Sequence, residues 1–342
     1  MSITSERASI KVPAKTIPVP STVSPEAQAF LALPQPLPRA WPEDLSDKET
    51  LARTFEGWAA EIESSEQALK QMSAGIFGTV VQDYGTTSVE HLMLGEVSVY
   101  IATPEGVTDD DPRTLLAIHG AWVYGTGEFS RLGALYMAAA HGVRTWVIDY
   151  RMPPHHPYPV PLNDCIAAYT AMLEEYGPEN VAISGTSGGG NLGLALLLRA
   201  HDEGLEMPVA AVINTPYADA THAGDSYQTL AGIDISYAPA DLDVVRQVYL
   251  DGHDPLDPYV SPVYGNYSEN FPPVMLTTGT RDFLLSETCR VHRRLLAAGV
   301  EAELHCWEGA QHLHFGSLAP EDFERASQAK RFLDARWNKG RS

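Results

Sequence analysis

A short apolar run, a tight glycine turn and a helix former follow one another over residues 181–199, VAISGTSGGGNLGLALLLR. Val181, Ala182 and Ile183 have the character of a strand buried on both faces. The Leu- and Ala-rich sequence from Asn191 to Ala200 favours helix. Between them, Gly185-Thr186-Ser187-Gly188-Gly189 spells G-x-S-x-G in the strand–turn–helix setting of a nucleophile elbow. Glycines opening a helix cost about 1 kcal/mol each against alanine, so something other than helix propensity keeps them there. A sharp turn supplies that reason, because a side chain on either flank would meet the strand or the helix. The competing reading is a plain glycine loop that binds phosphate. A Walker loop needs a lysine after its glycines, and this chain has Asn191.

The pattern around this stretch alternates short apolar runs with helix-like segments from about residue 76 onward. Strands are expected at Ile76 to Val81, Glu96 to Thr103, Leu115 to Ile118, Thr145 to Ile148, Val181 to Ile183, Val209 to Ile213, Val274 to Leu276 and Glu301 to Trp307. Such alternation implies an α/β fold with a mostly parallel central sheet flanked by helices. Ligands then bind at the carboxyl ends of the strands. Two regions stand outside the alternation. Pro25 to Leu33 and Glu43 to Ser73 read as helices, with Phe55, Trp58, Ala59, Ile62 and Leu69 near a 3.6-residue period. Ser46 with Glu49 has the pattern of a capping box. The interval from Thr221 to Asn266 is polar and holds one helix former, Pro239 to Leu250. The organisation expected is an N-terminal segment with cap helices (1–75), a first core part (76–217), a cap insertion (218–260) and a second core part (261–342).

Composition narrows the partners. In 342 residues there are 23 Lys and Arg against 44 Asp and Glu, a formal charge of −21. That argues against nucleic acid and against anionic membrane surfaces. Hydrophobic residues make up 44%, enough for a large core. Cys165, Cys289 and Cys306 lie far apart with no CxxC spacing, so neither a disulfide framework nor a zinc site is indicated. The polar, Pro-bearing start lacks the apolar core of a signal peptide, and no run nears the ~18 apolar residues of a membrane span. A cytoplasmic location is the expectation.

A serine nucleophile needs a base, an acid to orient that base, and donors for the oxyanion. Folds with such an elbow order them Ser, then acid, then His. Asp282 falls just past the strand at Val274 to Leu276, in a loop opened by Gly279. Its plainer role would be an N-cap. Asp251, Asp254 and Asp257 sit in a Pro-rich run and read as turn residues. After the last strand come His312 and His314. His312 follows Gly309 more directly, and His314 stays open as the alternative base. The strand ending at Ile118 runs into His119-Gly120-Ala121-Trp122, whose backbone N–H groups, with that of Gly188, suit an oxyanion. Trp122 and Tyr124 either line a substrate pocket or pack in the core. The histidines 119, 155, 156, 312 and 314 lack the HExxH spacing of a zinc site, so no metal is expected.

These residues resemble the hormone-sensitive-lipase-like carboxylesterases, a family of α/β hydrolases. GTSGGGN at 185–191 is similar to that family's GDSAGGN elbow. Asp149-Tyr150-Arg151 with Pro154 and His156-Pro157-Tyr158-Pro159 is similar to its DYRLAPEHPYP segment. Asp257-Pro258 with Ser261-Pro262, Gly279 with Asp282 and Leu284, and Gly309 with His312 follow in the family's order. The resemblance implies an α/β-hydrolase fold with a helical cap and a Ser187/Asp282/His312 triad. It implies oxyanion donors at Gly120, Ala121 and Gly188, no cofactor, and frequent homodimers. The implied activity is hydrolysis of small to medium acyl esters through an acyl-enzyme. An amidase, arylformamidase, lactonase or carbamate hydrolase would use the same triad, a lyase the same scaffold, and a non-catalytic ligand receptor the same fold. The chain departs from the family in four places, one of them the DYRLAPEHPYP segment, where Pro153 stands for alanine and His155 for glutamate. HGGG is one glycine short, Gly188 stands where alanine is usual, and His312-Leu313-His314-Phe315 replaces HGF.

Overall fold

The computed structural model describes residues 10–339 apart from 12, 15, 65–71, 74, 80–83 and 237. Its centre is one sheet of eight strands: β1 (Ser88–Leu94), β2 (Val97–Thr103), β3 (Thr114–Ile118), β4 (Arg144–Asp149), β5 (Val181–Thr186), β6 (Ala210–Asn214), β7 (Val274–Gly279) and β8 (Ala302–Trp307). The order across the sheet is β1-β2-β4-β3-β5-β6-β7-β8. β1 and β2 form an antiparallel hairpin, and β2 runs antiparallel to β4. Every pairing from β4 to β8 is parallel.

Side chains alternate between the two faces, and each face buries its own core. On one side Leu116, Ile118, Val181 and Ile183 pack with α4 (Val160–Tyr176), α5 (Gly188–Glu203) and α8 (Leu285–Ala297). On the other, Leu115, Ala117 and Ala182 meet Phe129 and Met137 of α3 (Glu128–His141) and Phe332, Leu333 and Trp337 of α9 (Pro320–Lys339). β3, β5, β6 and β7 are buried along their whole length, which is why they read as unbroken apolar runs. Each fully buried Leu or Ile contributes roughly 1.5–3 kcal/mol.

The segments outside the sheet dock over its carboxyl end. In α1 (Pro25–Leu31), Ala27 and Leu31 pack with Val23 against Ala310 and Phe315. The Ser24 N–H and hydroxyl both donate to Glu321, at 2.7 and 2.8 Å. α2 (Lys48–Glu63) buries Leu51 and Phe55. Trp58 stands edge-on to Trp41, with ring centres 4.6 Å apart. Residues 218–260 carry α6 (Asp225–Thr229) and α7 (Pro239–Leu250).

Three local expectations are corrected. Over its described part, 76–79, the strand expected at Ile76 to Val81 is absent. Ile76 and Phe77 lie in a helical turn and are buried, Phe77 beside Gly133 of α3, while 80–83 fall outside the described residues. The missing edge strand is β1, which is exposed or half-buried along both faces and so lacks a clean apolar alternation. The second helix ends at Glu63, and Leu69 lies outside the described residues. Its N-cap is Asp47, whose carboxylate accepts the Thr50 N–H at 3.0 Å, while Ser46 donates to Asp44.

Candidate active site

Ser187 caps β5 and opens α5 with φ 57° and ψ −118°. A non-glycine residue there stores backbone strain of order 1–3 kcal/mol, held by the surrounding structure. Its N–H donates to the Asn214 carbonyl at 2.9 Å and its carbonyl accepts from Asn191 and Tyr217. Close packing explains the glycine run: a β-carbon at Gly189 would collide with the carbonyls of Ile118 and His119.

Ser187 Oγ lies 2.7 Å from His312 Nε2. On the other side of the ring, His312 Nδ1 lies 3.3 Å from Asp282 Oδ1. With Nδ1 protonated toward the carboxylate, Nε2 is free to accept the serine proton. Asp282 is fully buried and accepts further bonds from the Thr278 hydroxyl (2.7 Å) and the Leu284 N–H (2.9 Å). The acid is thus fixed at the end of β7 and the base at the end of β8. Thr280 and Arg281 bond back across the two loops, to Trp307 and Ala310. His314 takes no part in this chain. Its backbone pairs with Gln311, its buried ring stands edge-on to Trp307, and burial holds its pKa well below the ordinary value. Asp254 and Asp257 accept turn N–H groups of Leu256 and Tyr259.

The loop after β3 brings one correction. The Gly120 N–H donates to the Ile76 carbonyl at 2.9 Å, so it is not free for a substrate oxygen. Among the described residues the N–H groups of Ala121 and Gly188 show no protein acceptor, whereas that of Trp122 is directed at the Tyr150 hydroxyl. Ala121 and Trp122 both have positive φ, 76° and 62°, a backbone region that favours glycine. Trp122 is buried. Its ring stacks on Tyr249 at 4.0 Å and its Nε1–H donates to the Gly188 carbonyl at 3.0 Å. Below the loop, His119 Nδ1 lies 2.8 Å from the Gly120 carbonyl, and burial lowers the pKa of this ring to about 4. A neutral His119 donates that bond and stiffens the turn.

A cavity of about 390 Å³ opens over Ser187. Trp122 and Tyr124 line it from the core side, and Leu37, Trp58, Met72 and Leu242 from the flanking segments. Asp241 joins two parts of that wall by accepting the Arg39 N–H (3.0 Å) and the Trp41 indole N–H (2.8 Å). Neither Asp241 nor Arg39 carried a motif in the sequence. Among the described residues no group of three or more His, Cys, Asp or Glu is placed to hold a metal, and no helix is long and apolar enough to cross a membrane.

A family model for the alpha/beta hydrolase fold matches residues 115–315, more than half of the chain. The chain belongs to the α/β-hydrolase family. It is 31% identical over 227 residues to an acetyl-hydrolase of Streptomyces hygroscopicus, a match covering 65% of this chain and 76% of that one. A solved esterase structure superposes with a TM-score of 0.78 at 33% identity, covering 95% of this chain and 98% of the other. A second, an esterase from the bacterial hormone-sensitive lipase family, gives a TM-score of 0.70 at 27% identity and covers 87% and 100%. The resemblance to hormone-sensitive-lipase-like esterases therefore holds for this α/β hydrolase.

Proposed function

We propose that this carboxylic ester hydrolase cleaves small to medium acyl esters through an acyl-enzyme on Ser187. Ser187 attacks the ester carbonyl while His312 takes its proton and passes it to the leaving alcohol. Asp282 holds the ring in the required tautomer and stabilises the imidazolium. Water then repeats the sequence on the acyl-enzyme. The N–H groups of Ala121 and Gly188 receive the oxyanion. Trp122 and Tyr124 form the core-side wall against the substrate. Residues 25–63 and 218–260 act as the cap over the cavity, and stretches 36–39 and 236–245 within them supply its outer lining.

One observation carries this reading: the unbroken Ser187–His312–Asp282 chain lies at the floor of a largely apolar cavity. The test is Ser187→Ala with a short p-nitrophenyl ester. The expected loss in kcat is on the order of 10⁶-fold with the fold intact, the scale known for removal of such a serine. A fluorophosphonate labels the parent at Ser187 and leaves the variant unlabelled. Hydrolysis that survives in Ser187→Ala would overturn the mechanism. A panel of matched esters, amides and lactones is expected to rank esters first.

A further inference from the structure

Residues 233–236, between α6 and α7, grip the loop that carries His312. Asp234 Oδ2 accepts the His312 backbone N–H at 2.8 Å and the Phe283 N–H at 3.3 Å, and Oδ1 accepts the Ser236 N–H at 2.8 Å. Gln311 reaches the same segment in both directions. Its Oε1 accepts the Ile235 N–H at 3.0 Å and its Nε2 donates to the Ile233 carbonyl at 3.1 Å. The Leu313 N–H donates to the Ser236 hydroxyl at 3.2 Å. The grip therefore spans three consecutive residues of the base loop, Gln311 to Leu313, and the residue after Asp282. Ser236 and Leu313 also line the cavity over Ser187.

A buried carboxylate is a costly choice for a mere loop staple. Asp234 is 4% exposed, and burial together with the like charge of Asp282 pushes its carboxyl up. What offsets this is the set of amide donors and the nearby His312 ring. Hydrogen bonds to a charged acceptor are shorter and roughly twice as strong as neutral ones, so they hold backbone position tightly.

We propose that Asp234 is a positioning residue for the base, locking the His312 backbone to the 233–236 segment of the cavity wall so that imidazole and wall keep one register through turnover. The inference rests on His312 acting as the base at Ser187. It touches no reacting atom; it acts through His312 and the start of the acid loop.

Steady-state kinetics on a short p-nitrophenyl ester test it, with active sites counted by complete fluorophosphonate labelling so that rates refer to folded molecules. Asp234→Ala is expected to lower kcat per active site by on the order of 10²-fold with KM unchanged, the scale of a ~1 Å misplacement. Asp234→Asn keeps an oxygen acceptor and is expected to recover part of that loss. Gln311→Ala breaks the grip from the other side without touching the carboxylate, and is expected to lower kcat less, again at constant KM. If Asp234→Ala does not fold, Gln311→Ala and Asp234→Asn decide. A parent-like kcat per active site in the folded variants, with only the melting temperature lowered, overturns the proposal. Ser187→Ala separates the two readings. Activity in that variant defeats the base mechanism itself, whereas an inactive Ser187→Ala beside fully active Asp234 and Gln311 variants defeats only this inference.

Discussion

The indole of Trp122 fills the space that a β-carbon on residue 188 would need. A methyl there would lie 2.8 Å from Trp122 Nε1 and 2.9 Å from Cδ1. The ring has little room to retreat, because Tyr249 stacks on it at 4.0 Å and Tyr217 stands edge-on at 5.0 Å. The alanine usual at this elbow position in the resembled family is therefore opposed by an aromatic wall, and the glycine at 188 and the indole at 122 are one linked feature.

That pairing is testable as a cycle. Gly188→Ala alone is expected to cost about 1–3 kcal/mol, the range for overpacking a tight site, and to lower kcat by displacing the oxyanion loop. Combined with Trp122→Ala, the alanine at 188 should cost far less, giving a coupling of roughly 1 kcal/mol or more in thermal or chemical unfolding. Strict additivity of the two substitutions would show that the contact is incidental.

Glu287 makes the second case. It is buried on α8, and its Oε2 accepts the N–H groups of Ala218 (2.5 Å) and Asp219 (2.9 Å), while Oε1 has no partner among the described residues. Burial, and next the charge of Asp219, raise its pKa well above the ordinary 4.5. A raised folded-state pKa contributes stability that is complete below 4.5 and lost as pH climbs through the folded value. Glu287→Gln mimics the protonated form and escapes that loss. The melting temperature of the variant minus that of the parent should grow as pH rises from about 5 to about 9. A difference independent of pH would mean that the carboxyl titrates normally.

Asn191 ties the elbow to both ends of the 218–260 stretch. Its Nδ2 donates to the Tyr217 carbonyl at 2.8 Å and the Val260 carbonyl at 2.7 Å. Asn191→Asp turns both bonds into contacts between acceptors and buries a charge. The expected loss is about 3 kcal/mol or more in denaturant unfolding. Parent stability in this variant would contradict the assigned amide orientation.

Much of this was legible in the chain. Strands buried on both faces advertise themselves as apolar runs, so β3 to β7 were readable to within a few residues. Ser187, Asp282 and His312 stand at strand ends in the order that such a sheet imposes, and the fold brings their side chains into one hydrogen-bonded series. What escaped is what depends on distance in sequence. β1 is an edge strand with no buried face to leave a pattern. Gly120 reads as a free loop donor until Ile76, 44 positions upstream by numbering, takes its N–H. Asp234 meets His312 across 78 residues and lies in polar sequence that resembles ordinary loop. The positive φ at Trp122 is likewise invisible, since no local rule places a tryptophan in left-handed backbone.

Asp241 bears on how the enzyme's substrate range can be redesigned. Because this one carboxylate receives both the Arg39 amide and the Trp41 indole, the stretch near residue 40 and helix α7 inherit their spacing from each other. A library that diversifies one of them while freezing the other samples mismatched halves. Productive variants should be sought by drawing both stretches together, with position 241 left alone as the shared hinge pin of the chamber.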